Sequence, residues 1–186
     1  MTYWDMTIEQ KSVLKEVIFG RTVLELGCGD GSLAMWCAQH ASHVTAVDRY
    51  PDFPAIPPEN ITFKSLYFDA CVDLADVLLL SWPPNYNCNG LMHHVYKHAT
   101  IAYLGKNTDG TACGSNEMWG TLVRRDLIKS VPDRKNTLLI YGKCLNWVAS
   151  LRDEEELAGL SNNGFFKYIP YGSMVDECSE GICGNR

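Results

Sequence analysis

Thr22-Val-Leu-Glu-Leu-Gly-Cys-Gly-Asp-Gly-Ser32 joins a short apolar run, three alternating glycines and a polar residue that can open a helix. The run Thr22 to Leu26, β-branched at its start, reads as a buried strand, and Ser32 to His40 as the helix after it. Glycines at 27, 29 and 31 remove Cβ atoms from the connecting turn, so a ligand can approach the backbone closely. A dinucleotide turn would read Gly-x-Gly-x-x-Gly, with its third glycine where Ser32 stands. Here the spacing is Gly-x-Gly-x-Gly, and Glu25 sits two residues ahead of the first glycine. A pyrophosphate is repelled by a nearby anion, yet Asp30 lies within the turn and Glu25 just before it. The expected ligand is nucleotide-like but cationic or uncharged at this end, which disfavours an NAD-dependent oxidoreductase.

Outward from the turn, His43 to Val47 reads as a second strand closed by Asp48, completing a βαβ unit with a parallel pair. A carboxylate at that strand end suits the hydroxyls of a ribose. A tight turn or a solvated acid accounts for either feature alone; their joint order does not. Thr7 to Phe19 reads as an amphipathic helix with Thr7 as N-cap and Gly20 as stop. Further strands are expected at 61–68, 76–81, 100–104, 137–141 and 165–169, with helices at 93–98, 116–129 and 153–160 and a loose tail from Ser173.

The 186 residues carry 22 acidic and 16 basic side chains, a net charge of −6, and 46% are hydrophobic. A chain of this length buries about 70% of its extended surface in one core, so residues 1–186 are expected to form a single domain. The acidic balance disfavours sequence-specific binding of duplex nucleic acid. Eight cysteines without a CxxC pair argue for cytosolic thiols rather than a disulfide scaffold or a metal site. No apolar run is long enough for a membrane span, and a cytoplasmic location is expected.

Through ELGCGDG at 25–31 and Asp48 after the second strand, the chain resembles the class I S-adenosylmethionine-dependent methyltransferases. The resemblance implies a Rossmann-like α/β fold: a seven-stranded, mostly parallel sheet in the order 3-2-1-4-5-7-6, strand 7 antiparallel, with helices on both faces. It also implies S-adenosylmethionine as cofactor. Gly27, Cys28 and Gly29 would lie along its methionine part by backbone contact, with Glu25 in the same motif, and Asp48 would hold the ribose hydroxyls. Arg49 would flank the adenine, Asp69 after Phe68 would receive its amino group, and the Ser81 backbone would meet the cofactor's amino group.

Ser81-Trp-Pro-Pro-Asn-Tyr86 follows the fourth strand, where open α/β sheets bind ligands. It resembles the (Asp/Asn/Ser)-Pro-Pro-aromatic loop of amino-directed methyltransferases, with Trp82 displacing the polar residue to Ser81 and Asn85 displacing the aromatic to Tyr86. Trp82, Pro83 and Tyr86 are the candidates for positioning an acceptor, and His93 or His94 for a general base. Tyr3 and Trp4 suit core packing better than a lid. The reading that results is methyl transfer to an unidentified acceptor, a small molecule or an exposed amino or nucleobase group. Its rival is a non-catalytic cofactor-binding or interaction module of the same fold.

Overall fold

The computed structural model describes residues 5–49, 57–85, 89–106 and 113–144, all within a unit that spans Met1–Ala149. Its elements are α1 (Ile8–Ile18), β1 (Thr22–Leu26), α2 (Ser32–Cys37), β2 (His43–Asp48), β3 (Ile61–Ser65), a 3-10 turn (Phe68–Ala70), β4 (Val77–Ser81), α3 (Asn89–Lys97), β5 (Thr100–Gly105), α4 (Asn116–Leu122), β6 (Arg125–Pro132) and β7 (Thr137–Cys144). Seven strands form one sheet in the order β3-β2-β1-β4-β5-β7-β6, the order expected from the resemblance. The first five in that row are parallel, and β7 runs antiparallel to both β5 and β6.

Alternation along the strands sends two sets of apolar side chains to opposite faces of the sheet. One face carries Val23, Val44, Ala46, Leu79, Ala102 and Ile140 against Leu14 and Ile18 of α1 and Leu33, Ala34 and Cys37 of α2. The other carries Leu24, Val47, Leu78, Leu80, Ile101 and Tyr103 against Leu91, Met92 and Val95 of α3 and Met118, Trp119 and Leu122 of α4. With helices on both faces, β4 is buried along its whole length, as its unbroken Val-Leu-Leu-Leu run requires. Thr7 caps α1 through a reciprocal box with Gln10, and Gly20 turns the chain out at φ +65°.

The structure corrects the helix expected at 116–129. α4 ends at Leu122, and Arg125–Pro132 is the edge strand β6. Met118, Trp119, Leu122, Val123 and Leu127 keep helical spacing across the break, so no local signal marks it. What overrides the spacing is long-range. Arg125 is buried at 5% exposure, donating from Nη1 to the Gly142 carbonyl of β7 (2.7 Å) and from Nη2 to the Val95 and His98 carbonyls at the end of α3 (2.7 Å each). Among the described residues, β6 and β7 bring the sheet to seven strands. The strand expected at 165–169, the helix at 153–160, the tail from Ser173, and Tyr3, Trp4 and Tyr86 lie outside the described residues. α3 begins at Asn89 rather than His93, and β3 ends at Ser65, so Phe68 and Asp69 belong to a separate 3-10 turn.

Replacing Arg125 by Leu strands three buried carbonyls that each accept a charge-assisted bond, and should lower stability by about 2–4 kcal/mol in urea unfolding. A change below about 0.5 kcal/mol would show that β6 docks without this clamp.

Candidate functional site

Parallel pairing brings the carboxyl ends of β1, β2 and β4 to one edge, with Leu26 beside Val47 and Leu80. The chain leaving β1 turns back at once. Gly27 and Cys28 both donate their N–H groups to the Val47 carbonyl (2.9 and 3.2 Å), Gly29 N–H to Asp48 Oδ2 (2.9 Å), Gly31 N–H to the Cys28 carbonyl (2.8 Å) and Ser32 N–H to Asp30 Oδ1 (2.9 Å). Gly27, Gly29 and Gly31 have φ of +84°, +54° and +74°, left-handed values that disfavour any side chain there. The amides of 27, 28, 29, 31 and 32 are therefore engaged within the protein and do not form a phosphate cradle.

Three carboxylates surround this turn. Glu25 and Asp48 lie on the same face of the sheet, since Glu25 pairs in register with Ala46, two residues before Asp48. Glu25 is fully buried, and neither carboxylate oxygen has a hydrogen-bond partner among the described residues. Burial, reinforced by the charges of Asp30 and Asp48, pushes its pKa up to about 8. The Cys28 thiol is raised by burial, then by Glu25 and Asp48, which makes it a packing group rather than a nucleophile.

Gly27 also links the neighbouring elements. A Cβ there would stand 3.5 Å from the Ser81 carbonyl and 3.8 Å from Phe68 Cζ, so these three sequence-predicted residues meet at one point. Gly29 faces open space. Asp69 lies in the 3-10 turn, and its side chain is outside the described residues. Arg49 is exposed, its guanidinium 4.2 Å above the ring of Tyr67, which directly precedes Phe68.

Beyond β4 the Trp82 N–H donates to the Leu104 carbonyl (2.8 Å), carrying the pairing one residue past Ser81. Trp82 then turns sharply at φ +50°, the one left-handed non-glycine among the described residues. Two residues that the sequence did not single out fasten the loop. Asn85 Oδ1 accepts from the Gly114 N–H (3.2 Å), and a Cβ on Gly114 would collide with Met118 and stand 3.5 Å from Pro83. Next to Gly114, the Cys113 carbonyl accepts from Tyr103 Oη and Trp119 Nε1, both at 3.1 Å. Polar loop composition alone carries no signal for these long-range bonds.

The histidines fall elsewhere. His94 is fully buried, with Nε2 3.1 Å from the Cys71 carbonyl, while His98 Nε2 accepts from Ala75 N–H (3.2 Å) and its Nδ1 donates to the His94 carbonyl (2.8 Å). Burial lowers both pKa values, so His94 packs as a neutral structural group rather than facing the strand ends as a base. A surface groove along α1, lined by Ser12, Lys15, Glu16 and Phe19, contains none of the site residues. No described helix is long and apolar enough to cross a membrane.

No protein-family profile and no curated protein sequence matches the chain. Solved structures do match it. A candidate RNA methyltransferase of Pyrococcus horikoshii superposes with a TM-score of 0.56 at 11% identity, over 75% of this chain and 82% of that one. The 1,6-didemethyltoxoflavin-N1-methyltransferase of Burkholderia thailandensis, solved with bound 1,6-didemethyltoxoflavin and S-adenosylhomocysteine, gives 0.55 at 13%, over 74% and 77%. The N-methyltransferase NodS of Bradyrhizobium japonicum WM9, solved with S-adenosylhomocysteine, gives 0.54 at 13%, over 73% and 85%. At such identities the likeness establishes a shared Rossmann-like methyltransferase fold.

Glu25 gives the ligand-free protein one component of its pH dependence. Its folded-state pKa of about 8 lies above the unfolded value of 4.5, so the unfolded chain holds fewer protons between them and stability falls as pH rises through that window. Glu25→Gln should remove that slope, worth a few kcal/mol, in urea unfolding from pH 5 to pH 8.5. An unchanged slope would show that Glu25 ionises normally in the folded protein.

Proposed function

We propose that this chain binds S-adenosylmethionine and transfers its methyl group to a small molecule or to an exposed amino or nucleobase group. The observation that carries the reading is Glu25: a buried carboxylate with no hydrogen-bond partner among the described residues, one strand from Asp48 and just ahead of a glycine turn whose Gly29 faces open space. Such a group is costly unless a cationic or donor ligand completes it. The engaged turn amides argue in the same direction, because a phosphate would need them free. S-adenosylhomocysteine bound to two proteins of this fold supports the same cofactor here.

In this reading Glu25 provides negative charge for the amino-acid end, and the bare Cα atoms of Gly27 and Gly29 give it room. Asp48, held by the Gly29 N–H through Oδ2, accepts from the ribose hydroxyls. Phe68 and Arg49 border the adenine, with Asp69 toward its amino group, and the Ser81 carbonyl accepts from the cofactor's amino group. When bound, the cofactor supplies a methyl group already activated on a sulfonium. The remaining task is to hold an acceptor in line and keep water out, which falls to Trp82, Pro83 and Tyr86 on a loop tied down by Asn85. The free thiols at Cys28, Cys37, Cys71 and Cys113 suit a reducing, cytoplasmic location.

A second reading rests on Trp82. It stands where amino-directed loops carry a polar side chain, which favours a module that binds the cofactor without turning over. Calorimetry with S-adenosylmethionine, S-adenosylhomocysteine and NAD, followed by an acceptor screen with labelled methyl donor, separates the two. The expected result is binding of the first two only, weakened about tenfold to a hundredfold in Asp48→Ala. Trp82→Ala should leave cofactor affinity within about threefold and cut transfer by about tenfold or more. Tight binding without any transfer would favour the module; failure of both adenosyl ligands to bind would remove the reading.

A further inference from the structure

The 3-10 turn at Phe68–Ala70 is packed through Phe68 and the adjoining Cys71 against the α3 and α4 face, and among the described residues it has few hydrogen bonds to fix its ends. Within it and after it run two short backbone bonds, Ala70 N–H to the Tyr67 carbonyl (3.0 Å) and Cys71 N–H to the Phe68 carbonyl (3.2 Å). From outside, its far end is held by His94 on α3, whose Nε2 lies 3.1 Å from the Cys71 carbonyl. A carbonyl only accepts, so Nε2 carries the proton and Nδ1 is the bare nitrogen. That Nδ1 is buried and has no hydrogen-bond partner among the described residues. At the near end of the same turn, the Phe68 ring packs toward Gly27.

We propose that His94 is a positioning residue for the nucleoside end of the site: as a neutral ring it pins the Cys71 end of the turn, and so holds Phe68 against Gly27 from a helix outside the pocket. The nucleoside assignment rests on the methyltransferase reading above; the tether itself does not.

The charged and titratable groups around this corner are His93 and His98 on α3, the Cys71 thiol beside Asp73 (3.4 Å), Lys64 paired with Asp73, and Arg125 from β6 against His98. Burial is the main influence holding His94 neutral, with His98 and His93 adding to it; the Cys71 and Phe68 carbonyls favour the charged ring but do not outweigh burial. His98 is fixed as a neutral tautomer by bonds at both nitrogens and presents no acceptor to its neighbour. Protonation of His94 puts a positive charge and a second N–H into a dry corner, where the Cys71 and Phe68 carbonyls do not repay the lost hydration, and the tether weakens as water enters between α3 and the turn. The sign follows: the folded-state pKa lies below the ordinary histidine value of 6.5, so the tether is whole above that value and weakens as pH falls beneath it.

Adenosine is the informative probe because it lacks the ammonium that would meet Glu25, whose titration belongs to a higher pH range. With the 186-residue chain, adenosine affinity should fall about threefold to tenfold between pH 7.5 and pH 5.5, the size expected for one lost hydrogen bond. His94→Gln keeps an N–H donor without titrating and should bind at pH 7.5 like the parent, with that decline removed. His94→Leu should bind weakly at both values. Backbone amide exchange at Ala70 and Cys71, corrected for intrinsic rates, should quicken at pH 5.5 in the parent and not in His94→Gln. The proposal is overturned if His94→Gln keeps the parent's acid decline, or if a folded His94→Leu binds adenosine and protects these amides as the parent does. If the parent binds neither adenosine nor S-adenosylhomocysteine at pH 7.5, the nucleoside assignment falls with the methyltransferase reading. The exchange data then decide the tether alone.

Discussion

The Val47 carbonyl, at the end of β2, accepts from two consecutive amides of the chain leaving β1. With β1 paired in register to β2 on one side and β4 on the other, the strand ends coincide, and the next residues must turn within one step to reach that carbonyl. Only left-handed backbone does so, which is why Gly27, Gly29 and Gly31 stand where they do. The same contact decides what the turn can bind. Its amides are used internally, so its exposed character comes from carboxylates and bare Cα atoms.

Glu25 is the counterpart of that arrangement. A strand buried on both faces has no reason of packing to carry an acid at its fourth position, and leucine or valine there would be more stable without a ligand. Crowding by Asp30 and Asp48 adds to the cost of ionising it. A buried, unpartnered carboxyl of this kind, two residues ahead of Gly27, is the pattern expected of a binding site rather than of a scaffold.

The two faces of the sheet divide the work. The α1 and α2 face underlies the carboxylates, whereas the α3 and α4 face supports the loop beyond β4 through Tyr103, Trp119 and Asn85. α3 touches both halves of the site, since it follows the loop that contains Trp82 and reaches the 3-10 turn through His94. Arg125 then fastens the end of α3 to β7 across the sheet edge. Rigidity at the site thus depends on residues well outside it.

What the amino-acid order determined alone was the part encoded locally: the strand, glycine turn and helix around residues 22–37, the acid after β2, and the prolines after β4. There, backbone conformation and burial are set by neighbours in sequence. Through its likeness to a known family, the same stretch also carried the sheet order. The helix read across 116–129 shows the limit, because helical spacing ran on into β6 and only the distant carbonyls of α3 and β7, reached by Arg125, selected a strand. His94 shows it again: as a sequence symbol it resembled a candidate base, and burial against the Cys71 carbonyl made it a neutral tether. Asn85, Gly114 and the isolation of Glu25 were likewise decided by tertiary structure. A hydrogen-bond partner, or the lack of one, is fixed by which segments pack together, and local composition contains no record of that.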